Sequence, residues 1–226
     1  MIAARLAAAA IVTLLFAATA GAEPANLGDL KTKITAYHDS GAYDRELARV
    51  DAKAIAYIDK SGKHVAHAAL VLDIDETSLS NWPEIKADDY GYIGDGPCDA
   101  LPKGPCGAKA WEMSARAPAI APTLELFRHA KKDGVAVFFI TGRDESERDA
   151  TATNLTNAGY KDWDGLILRP VGSHTPSAAD YKAPARASLE AKGFHIVANV
   201  GDQKSDLAGG HSDKTFKLPN PFYFIK

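Results

Sequence analysis

The spacing of apolar positions predicts the first regular element of the chain. Leu47, Val50, Ala54 and Ile58 recur at helical intervals, so they mark one face of an amphipathic helix that ends near residues 61–62. Polar residues fill the intervening positions, as expected for a helix that covers a core on one side.

After this helix, short apolar runs alternate with further helical segments. The runs predict strands at residues 66–74, 135–140, 165–168, 195–200 and 214–218, and the segments between them predict helices at 119–132, 145–158 and 183–192. Strands that alternate with helices favour a Rossmann-like α/β fold, in which a parallel sheet is flanked by helices on both faces.

Residues 81–118 interrupt this alternation. They show little periodicity, are rich in glycine, proline and aspartate, and contain both cysteines of the chain. A stretch of this length is too long for an ordinary connection. We therefore expect an irregular or helical cap, inserted after the first core strand and lying over the strand ends.

The first 22 residues have the pattern of an export signal. Arg5 precedes an apolar run at 6–18, and small residues at 20–22 form a signal-peptidase site. The run is shorter than the roughly 20 residues that span a bilayer, so we expect no stable membrane anchor. We expect residues 23–226 to form the mature domain, which is exported to the periplasm or secreted.

Composition narrows the possible functions. The chain has 226 residues, of which 46% are hydrophobic, enough for the core of one domain. Its 26 basic and 29 acidic side chains give a net charge of −3, whereas a protein that binds nucleic-acid polymers usually has a basic surplus. The sequence specifies no oligomeric state.

Cys98 and Cys106 are the two cysteines of the chain. In an oxidising compartment, a pair this close in sequence favours a disulfide that closes a small loop. A zinc site would need two more ligands nearby, and a pair of free thiols is the remaining alternative.

Polar residues follow the predicted strands in several places. Residues 73–77 (DIDET) follow the first core strand, residues 141–143 (TGR) the second, and residues 201–202 (GD) the fourth, with Asp206 close behind; Lys182 is expected in the loop before the last of the predicted helices. Parallel strands present their carboxyl ends at one edge, where ligands bind. Carboxylates that converge there repel one another unless a cation neutralises them, and all-oxygen ligands favour Mg²⁺.

These motifs, in this order, resemble those of the haloacid dehalogenase (HAD) superfamily of phosphohydrolases: Asp-x-Asp-x-Thr, a Ser/Thr, a Lys/Arg and Gly-Asp-x-x-x-Asp. The chain is similar in particular to the exported class C and plant-type acid phosphatases, at LDIDETSLSN (72–81), FFITGRDESERDATATNLTNAGY (138–160), NVGDQKSDL (199–207) and KLPNPFY (217–223). The resemblance covers essentially the whole mature chain and implies a HAD-like fold with a cap.

The resemblance also implies catalytic roles. Asp73 is expected to be the nucleophile that forms an aspartyl-phosphate, and Asp75 the general acid–base. Mg²⁺ would be held by the Asp73 carboxylate, the Asp75 backbone carbonyl and Asp202. Asp206 would bind the metal directly, bind it through water, or orient Lys182.

Binding roles come from the same resemblance. Thr141, the Gly142 N–H and Lys182 are expected to hold the phosphoryl oxygens. Arg143 either contacts the substrate phosphate or pairs with Asp144 or Glu147 on the surface.

The roles of two other groups of residues are less specifically defined. Glu76 and Thr77 are expected to organise the loop after the first core strand. The aromatic residues of residues 81–118 either stack on a nucleobase or form the small core of the cap; they are Trp82, Tyr90, Tyr92 and Trp111.

The favoured function is therefore an exported, Mg²⁺-dependent phosphomonoesterase for small substrates, with broad or 5′-nucleotide-leaning specificity. A non-catalytic binding or storage protein on the same scaffold is the alternative, but Asp73 and Asp75 are both present. A receiver-type signalling domain would need no second aspartate and would work in the cytoplasm. A dinucleotide-binding fold would need a Gly-x-Gly-x-x-Gly motif after the first strand, which is missing.

Overall fold

A five-stranded sheet lies at the centre of the computed structural model, which describes residues 23–173 and 175–225. Its strands are β1 (Ala68–Leu72), β2 (Ala136–Asp144), β3 (Gly165–Arg169), β4 (His195–Gly201) and β5 (Lys214–Lys217). They lie in the order β3-β2-β1-β4-β5, and every neighbouring pair is parallel. The predicted parallel α/β sheet is confirmed.

Helices connect and cover the strands. In the described part of the chain they are α1 (Leu27–Asp39), α2 (Ala42–Lys60), α3 (Trp82–Ala87), α4 (Ala108–Met113), α5 (Ala121–Lys132), α6 (Arg148–Ala158), α7 (Ala179–Ala191) and α8 (Lys204–Leu207). None of these helices is long and apolar enough to cross a membrane.

The core lies on both faces of the sheet because the central strand β1 is buried on both sides. Leu70 and Leu72 belong to the larger apolar cluster, which includes residues of α2 and α5. Ala69 and Val71 point to the opposite face, where Leu189 of α7 covers them. Each fully buried leucine contributes about 1.5–3 kcal/mol, so these two layers fix the sheet that positions the strand ends.

Several element boundaries differ from the sequence prediction, and two of these differences affect the site. Strand β2 continues to Asp144, which pairs with Arg169 after an irregularity in the register. Helix α7 begins at Ala179, so Lys182 lies in its first turns and the prediction of a loop position was wrong. The helix starts about one turn before the predicted residue 183, and Pro184 lies inside it.

Helix α1 was not predicted at all. Leu27, Leu30, Ile34 and Tyr37 recur at helical intervals, but this short stripe was overlooked. Only Ile34 and Tyr37 pack against the larger apolar cluster, and no residue of α1 is fully buried. Its start is stabilised by Asn26, whose side chain accepts the Gly28 N–H at 2.9 Å. Lys31 also pairs with Asp89 at 2.5 Å, which ties α1 to the segment after β1.

Residues 81–118, which we call the cap segment, contain α3, α4 and a disulfide between Cys98 and Cys106. The predicted cysteine pairing is confirmed. Trp111 of α4 is buried, and its indole donates to Asn81 Oδ1 at 2.7 Å, which fixes α4 against the start of the segment. The predicted export signal, residues 1–22, lies outside the described residues.

Asp51 is a buried acidic residue that does not belong to the motifs after the strands and that contacts α5. Asp51 of α2 is 1% exposed; Thr123 of α5 donates to its Oδ2 at 3.1 Å, and its Oδ1 has no hydrogen-bond partner in the described structure. Burial raises the pKa of Asp51 to about 7. The folded state therefore retains a proton that the unfolded chain releases near pH 4.

This proton makes the stability of the fold depend on pH. The pKa of Asp51 is higher in the folded state than in the unfolded chain. The stability that its bound proton contributes is therefore fully present below about pH 4 and is lost as the pH rises to about 7. We expect Asp51→Asn to increase the free energy of unfolding by up to about 3 kcal/mol more at pH 8 than at pH 5, as measured by urea unfolding. Asp44→Asn, an exposed change on the same helix, serves as control. An Asp51→Asn effect that is equal at both pH values would contradict the assignment.

Candidate active site

The carboxyl edge of the sheet opens into a cavity of about 950 Å³. Asp73 follows β1, Gly142 and Arg143 end β2, Asp202 follows β4, and Lys182 extends from α7; all five line this cavity. The structure thus brings together residues from four elements that are far apart in sequence, as the parallel topology requires.

Lys182 lies between two carboxylates at the base of the cavity. Its Nζ is 2.5 Å from Asp73 Oδ1 and 2.6 Å from Asp206 Oδ1, and all three side chains are more than 90% buried. Burial alone would lower the pKa of Lys182, but the two carboxylates raise it above its usual value. Burial and the charge of Asp206 raise the pKa of Asp73, while Lys182 opposes that rise. Lys182 is therefore a fixed positive charge beside Asp73.

Asp73, Asp202 and Asp206 offer carboxylate oxygens that all lie within 4.8 Å of one another. Burial and then the charge of Asp206 raise the pKa of Asp202. One lysine compensates only part of three buried negative charges. Hard oxygen ligands in this number suit a divalent cation, so the donor set fits the expected metal.

The Asp202 carboxylate is oriented by three donors. Thr77 Oγ1 donates to Oδ1 at 3.1 Å, while Gln203 Nε2 and Asn220 Nδ2 donate to Oδ2 at 2.6 and 2.7 Å. These bonds fix the carboxylate before any ligand binds, which reduces the reorganisation that binding would require. Thr77 was expected to organise this loop, and it does so through Asp202.

Arg143 holds the second aspartate of the first motif. Its Nε donates to both oxygens of Asp75, at 3.2 and 3.1 Å, and its Nη2 donates to Oδ1 at 2.6 Å. Asn81 Nδ2 also donates to Oδ1, at 2.9 Å. Burial acts against the ionised form, but Arg143 outweighs it and lowers the pKa of Asp75.

The surface pairing considered for Arg143 was wrong. Arg143 is 3% exposed and forms its ion pair with Asp75, not with Asp144 or Glu147. The reason is that β2 continues past Thr141, which directs this side chain toward the loop after β1. Arg143 lines the cavity as well, so it remains a candidate for substrate contact.

Thr141 and Gly142 differ in their access to the cavity. Thr141 is fully buried, and its Oγ1 accepts the N–H of Arg143 at 3.1 Å. Gly142 lines the cavity, and a Cβ there would lie only 2.7 Å from the Tyr181 hydroxyl. A larger residue at this position would therefore have to displace the Tyr181 hydroxyl.

Glu76 links the loop after β1 to the C-terminal segment. It has a positive φ of 52° and is 1% exposed. Its carboxylate accepts the Asn81 N–H at 2.6 Å and the Tyr223 hydroxyl at 2.7 Å. Burial raises the pKa of Glu76 to about 8. Glu76 therefore organises the loop, as the sequence indicated.

Four positioning residues were missed by the sequence reasoning. They hold the aspartates or Glu76 and are Asn81, Gln203, Asn220 and Tyr223. All four lie inside the motif segments that carried the family resemblance. That location is a signal, but only the folded geometry assigns each amide or hydroxyl to its carboxylate.

The aromatic residues of the cap segment divide into two groups. Trp111 is buried, and Trp82 stacks on His38 with ring centroids 3.8 Å apart and contacts Tyr90 edge-on, so these rings form packing contacts. Tyr92 is 84% exposed and lines the cavity. Phe224, from the C-terminal segment, is 72% exposed and lines the same cavity.

Comparison with known sequences shows the family of the chain. The family described as HAD superfamily, subfamily IIIB (Acid phosphatase) matches residues 7–226. Acid phosphatase 1 of Solanum lycopersicum is 38% identical over 191 residues, which cover 81% of this chain and 69% of that protein.

Storage and stem proteins of plants are also similar. The stem 28 kDa glycoprotein of Glycine max is 38% identical over 161 residues, 69% of this chain and 59% of that protein. Vegetative storage protein 1 of Arabidopsis thaliana is 34% identical over 157 residues, 69% of this chain. The chain spans only 54% of the Arabidopsis protein.

Among solved structures, the class C acid phosphatase from Bacillus anthracis has a TM-score of 0.66 and 21% sequence identity, with 86% of each chain covered. At that identity the likeness shows the fold, which is the predicted HAD-like α/β architecture. The family is shown by the match of its model to residues 7–226, nearly the whole chain. The chain belongs to the HAD superfamily, subfamily IIIB, and is a phosphomonoester hydrolase of the acid phosphatase family.

Proposed function

We propose that this chain is an exported, Mg²⁺-dependent acid phosphatase that works through an aspartyl-phosphate on Asp73. The observation that carries the proposal is the buried contact of 2.5 Å between Asp73 and Lys182, at the base of a cavity that also receives Asp202 and Asp206. This arrangement places a nucleophile beside a fixed positive charge and a set of metal ligands.

In the proposed first step, a carboxylate oxygen of Asp73 attacks phosphorus, and the bond from phosphorus to the leaving-group oxygen breaks. Lys182 and the Gly142 N–H, which line the cavity, stabilise the phosphoryl oxygens as their charge shifts, while the fully buried Thr141 holds the Arg143 N–H. Lys182 is held in place by Asp206, so it needs no reorganisation during the reaction.

Asp75 supplies the proton transfers of the proposed mechanism. It protonates the departing alkoxide, and in the second step it takes a proton from the water that attacks the phosphoenzyme, which releases phosphate and restores Asp73. Arg143 and Asn81 fix its carboxyl group for both transfers. Arg143 is thus proposed as a positioning residue for the acid–base.

Asp73, Asp202 and the Asp75 carbonyl are the proposed Mg²⁺ ligands, with Asp206 as a direct or indirect fourth. When bound, the ion offsets negative charge between the nucleophile and the phosphate. The acidic cluster supports a divalent metal, and its exclusively oxygen donors favour Mg²⁺ over softer ions.

Export and substrate range complete the proposal. The pattern of residues 1–22, the disulfide, and the similarity to stem glycoproteins support a secreted or periplasmic protein. The exposed rings of Tyr92 and Phe224 at the cavity support broad or 5′-nucleotide-leaning specificity, because such rings can stack on a base.

A storage protein on the same scaffold is the second candidate, since vegetative storage protein 1 of Arabidopsis thaliana is similar over 69% of the chain. The complete set of Asp73, Asp75 and Lys182 favours the enzyme, because a storage role gives no reason to bury a lysine between two carboxylates.

The nucleophile is tested by Asp73→Asn. We expect the hydrolysis of p-nitrophenyl phosphate in the presence of Mg²⁺ to fall by more than about 10⁴-fold, since the amide cannot attack phosphorus. Full activity in Asp73→Asn would refute the mechanism. An inactive wild-type protein with unchanged folding would favour the storage alternative.

Metal binding is tested without an activity readout. Millimolar Mg²⁺ is expected to raise the melting temperature of the wild-type protein by a few degrees, because a ligand of the folded state stabilises it. Asp202→Asn should lose this rise. The control is Asp59→Asn, which changes a second acidic cluster formed with His129 and Asp133. If only Asp59→Asn loses the rise in melting temperature, the metal binds at the cluster of Asp59, His129 and Asp133 instead.

The positioning role of Arg143 is tested by the choice of leaving group. An alkyl phosphate such as glycerol 2-phosphate needs a proton on its leaving group, whereas p-nitrophenolate needs little help. We expect Arg143→Lys to lower kcat/KM for the alkyl ester about 10- to 100-fold more than for p-nitrophenyl phosphate. Arg148→Lys, in an exposed ion pair with Glu145, is the control. An equal loss of kcat/KM for both esters would contradict the proposal that Arg143 acts by positioning Asp75.

A further inference from the structure

Three glutamates from separate elements line the cavity that contains Asp73. Glu84 lies on α3, Glu112 on α4, and Glu147 in the turn between β2 and α6. We call them the glutamate cluster. Glu84 and Glu147 are 6% and 5% exposed, so their carboxyl groups are largely withdrawn from water.

The glutamate cluster has no adequate partner within the described residues. Among these residues, no hydrogen bond from a nitrogen donor reaches any of the three carboxylates, and Glu147 Oε2 is wholly buried without a partner. The nearest cation, Lys109, is exposed and 3.9 Å from Glu147 Oε1, while Arg143 is bound to Asp75. Carboxylates buried in this way are costly to the folded protein unless a donor or cation joins them.

The raised pKa values of two members of the cluster agree with this lack of hydrogen-bond donors and cations. Burial, followed by the charges of Asp88 and Asp75, raises the pKa of Glu84 to about 7. Burial, followed by the charge of Asp75, raises the pKa of Glu112 to about 9, and a hydrogen bond with Glu147 adds to this rise. A cationic ligand group beside Glu84 and Glu112 would supply the compensating charge that the described residues do not provide.

Tyr92 adds an aromatic surface to the same region. Its ring is exposed and lines the cavity. Partial desolvation, and then the charges of Glu112 and Glu84, raise the pKa of its hydroxyl. An aromatic ring beside carboxylates is the combination by which proteins bind ammonium groups.

We propose that the glutamate cluster and Tyr92 form a subsite for an ammonium group on the leaving group of the substrate. The inference rests on the proposed phosphatase function and narrows it: amino-substituted phosphomonoesters are preferred over their hydroxyl counterparts. Asp73 and Lys182 hold the phosphate at the base of the cavity, and the amine is recognised by the glutamates of the cap segment and of the turn after β2.

The test compares matched substrates that differ only in an amine or a hydroxyl. One pair is glucosamine 6-phosphate and glucose 6-phosphate, and a shorter pair is 2-aminoethyl phosphate and 2-hydroxyethyl phosphate. We expect kcat/KM to be about tenfold higher for the amine in at least one pair, the gain typical of hydrogen bonds to a charged group. Glu84→Gln and Glu112→Gln should each reduce that ratio toward one.

Controls separate this proposal from general charge effects and from the proposed function. Glu145→Gln removes a negative charge two residues from Glu147 but outside the cavity lining, so it should keep the wild-type ratio. The p-nitrophenyl phosphate activity of each variant, with its melting temperature, reports folding and catalysis. If the wild type hydrolyses that ester but favours the amine in neither pair, or if both Gln variants keep the preference, the subsite is refuted. If the wild type hydrolyses no ester, the phosphatase function itself fails.

Discussion

The repulsion among three buried carboxylates is the constraint on which the rest of the site depends. Asp73, Asp202 and Asp206 are brought together by the strand ends, and Lys182 contacts two of them. Desolvated like charges at this distance destabilise the fold unless cations join them. The placement of α7 meets this requirement, because a helix that packs on β2 and β4 can deliver a lysine to the sheet edge.

Much of this could be predicted from the sequence because it depends on topology. A strand buried on both faces, such as β1, reads as a continuous apolar run, and the residues directly after such a strand must lie at the edge of a parallel sheet. Asp73 and Asp202 were therefore placed beside one another without any knowledge of side-chain geometry. The same reasoning located Gly142, since β1 and β2 are neighbours.

The contacts that need side-chain direction could not be predicted. Whether Arg143 points to solvent or to Asp75 depends on how far β2 continues before it turns, and no apolar pattern records that. Asn220 reaches Asp202 from a segment beyond the last strand, a contact across 18 positions that only the fold defines. Helix α1 was missed for a different reason: its apolar stripe is short, and only Ile34 and Tyr37 pack against the core.

The base of the cavity and the end formed by the cap segment differ in how their carboxylate charges are compensated. On the proposed function, the base carries out catalysis and the cap segment selects the leaving group. At the base, Lys182 and Arg143 are each committed to an aspartate, so the reacting groups are held before substrate arrives. At the cap segment, Glu84 and Glu112 have no such partner among the described residues, so their environment changes with the group that binds. On the proposed function, changes at Glu84 or Glu112 would alter the accepted leaving group, whereas Asn81 of the same segment must be kept because it holds Asp75.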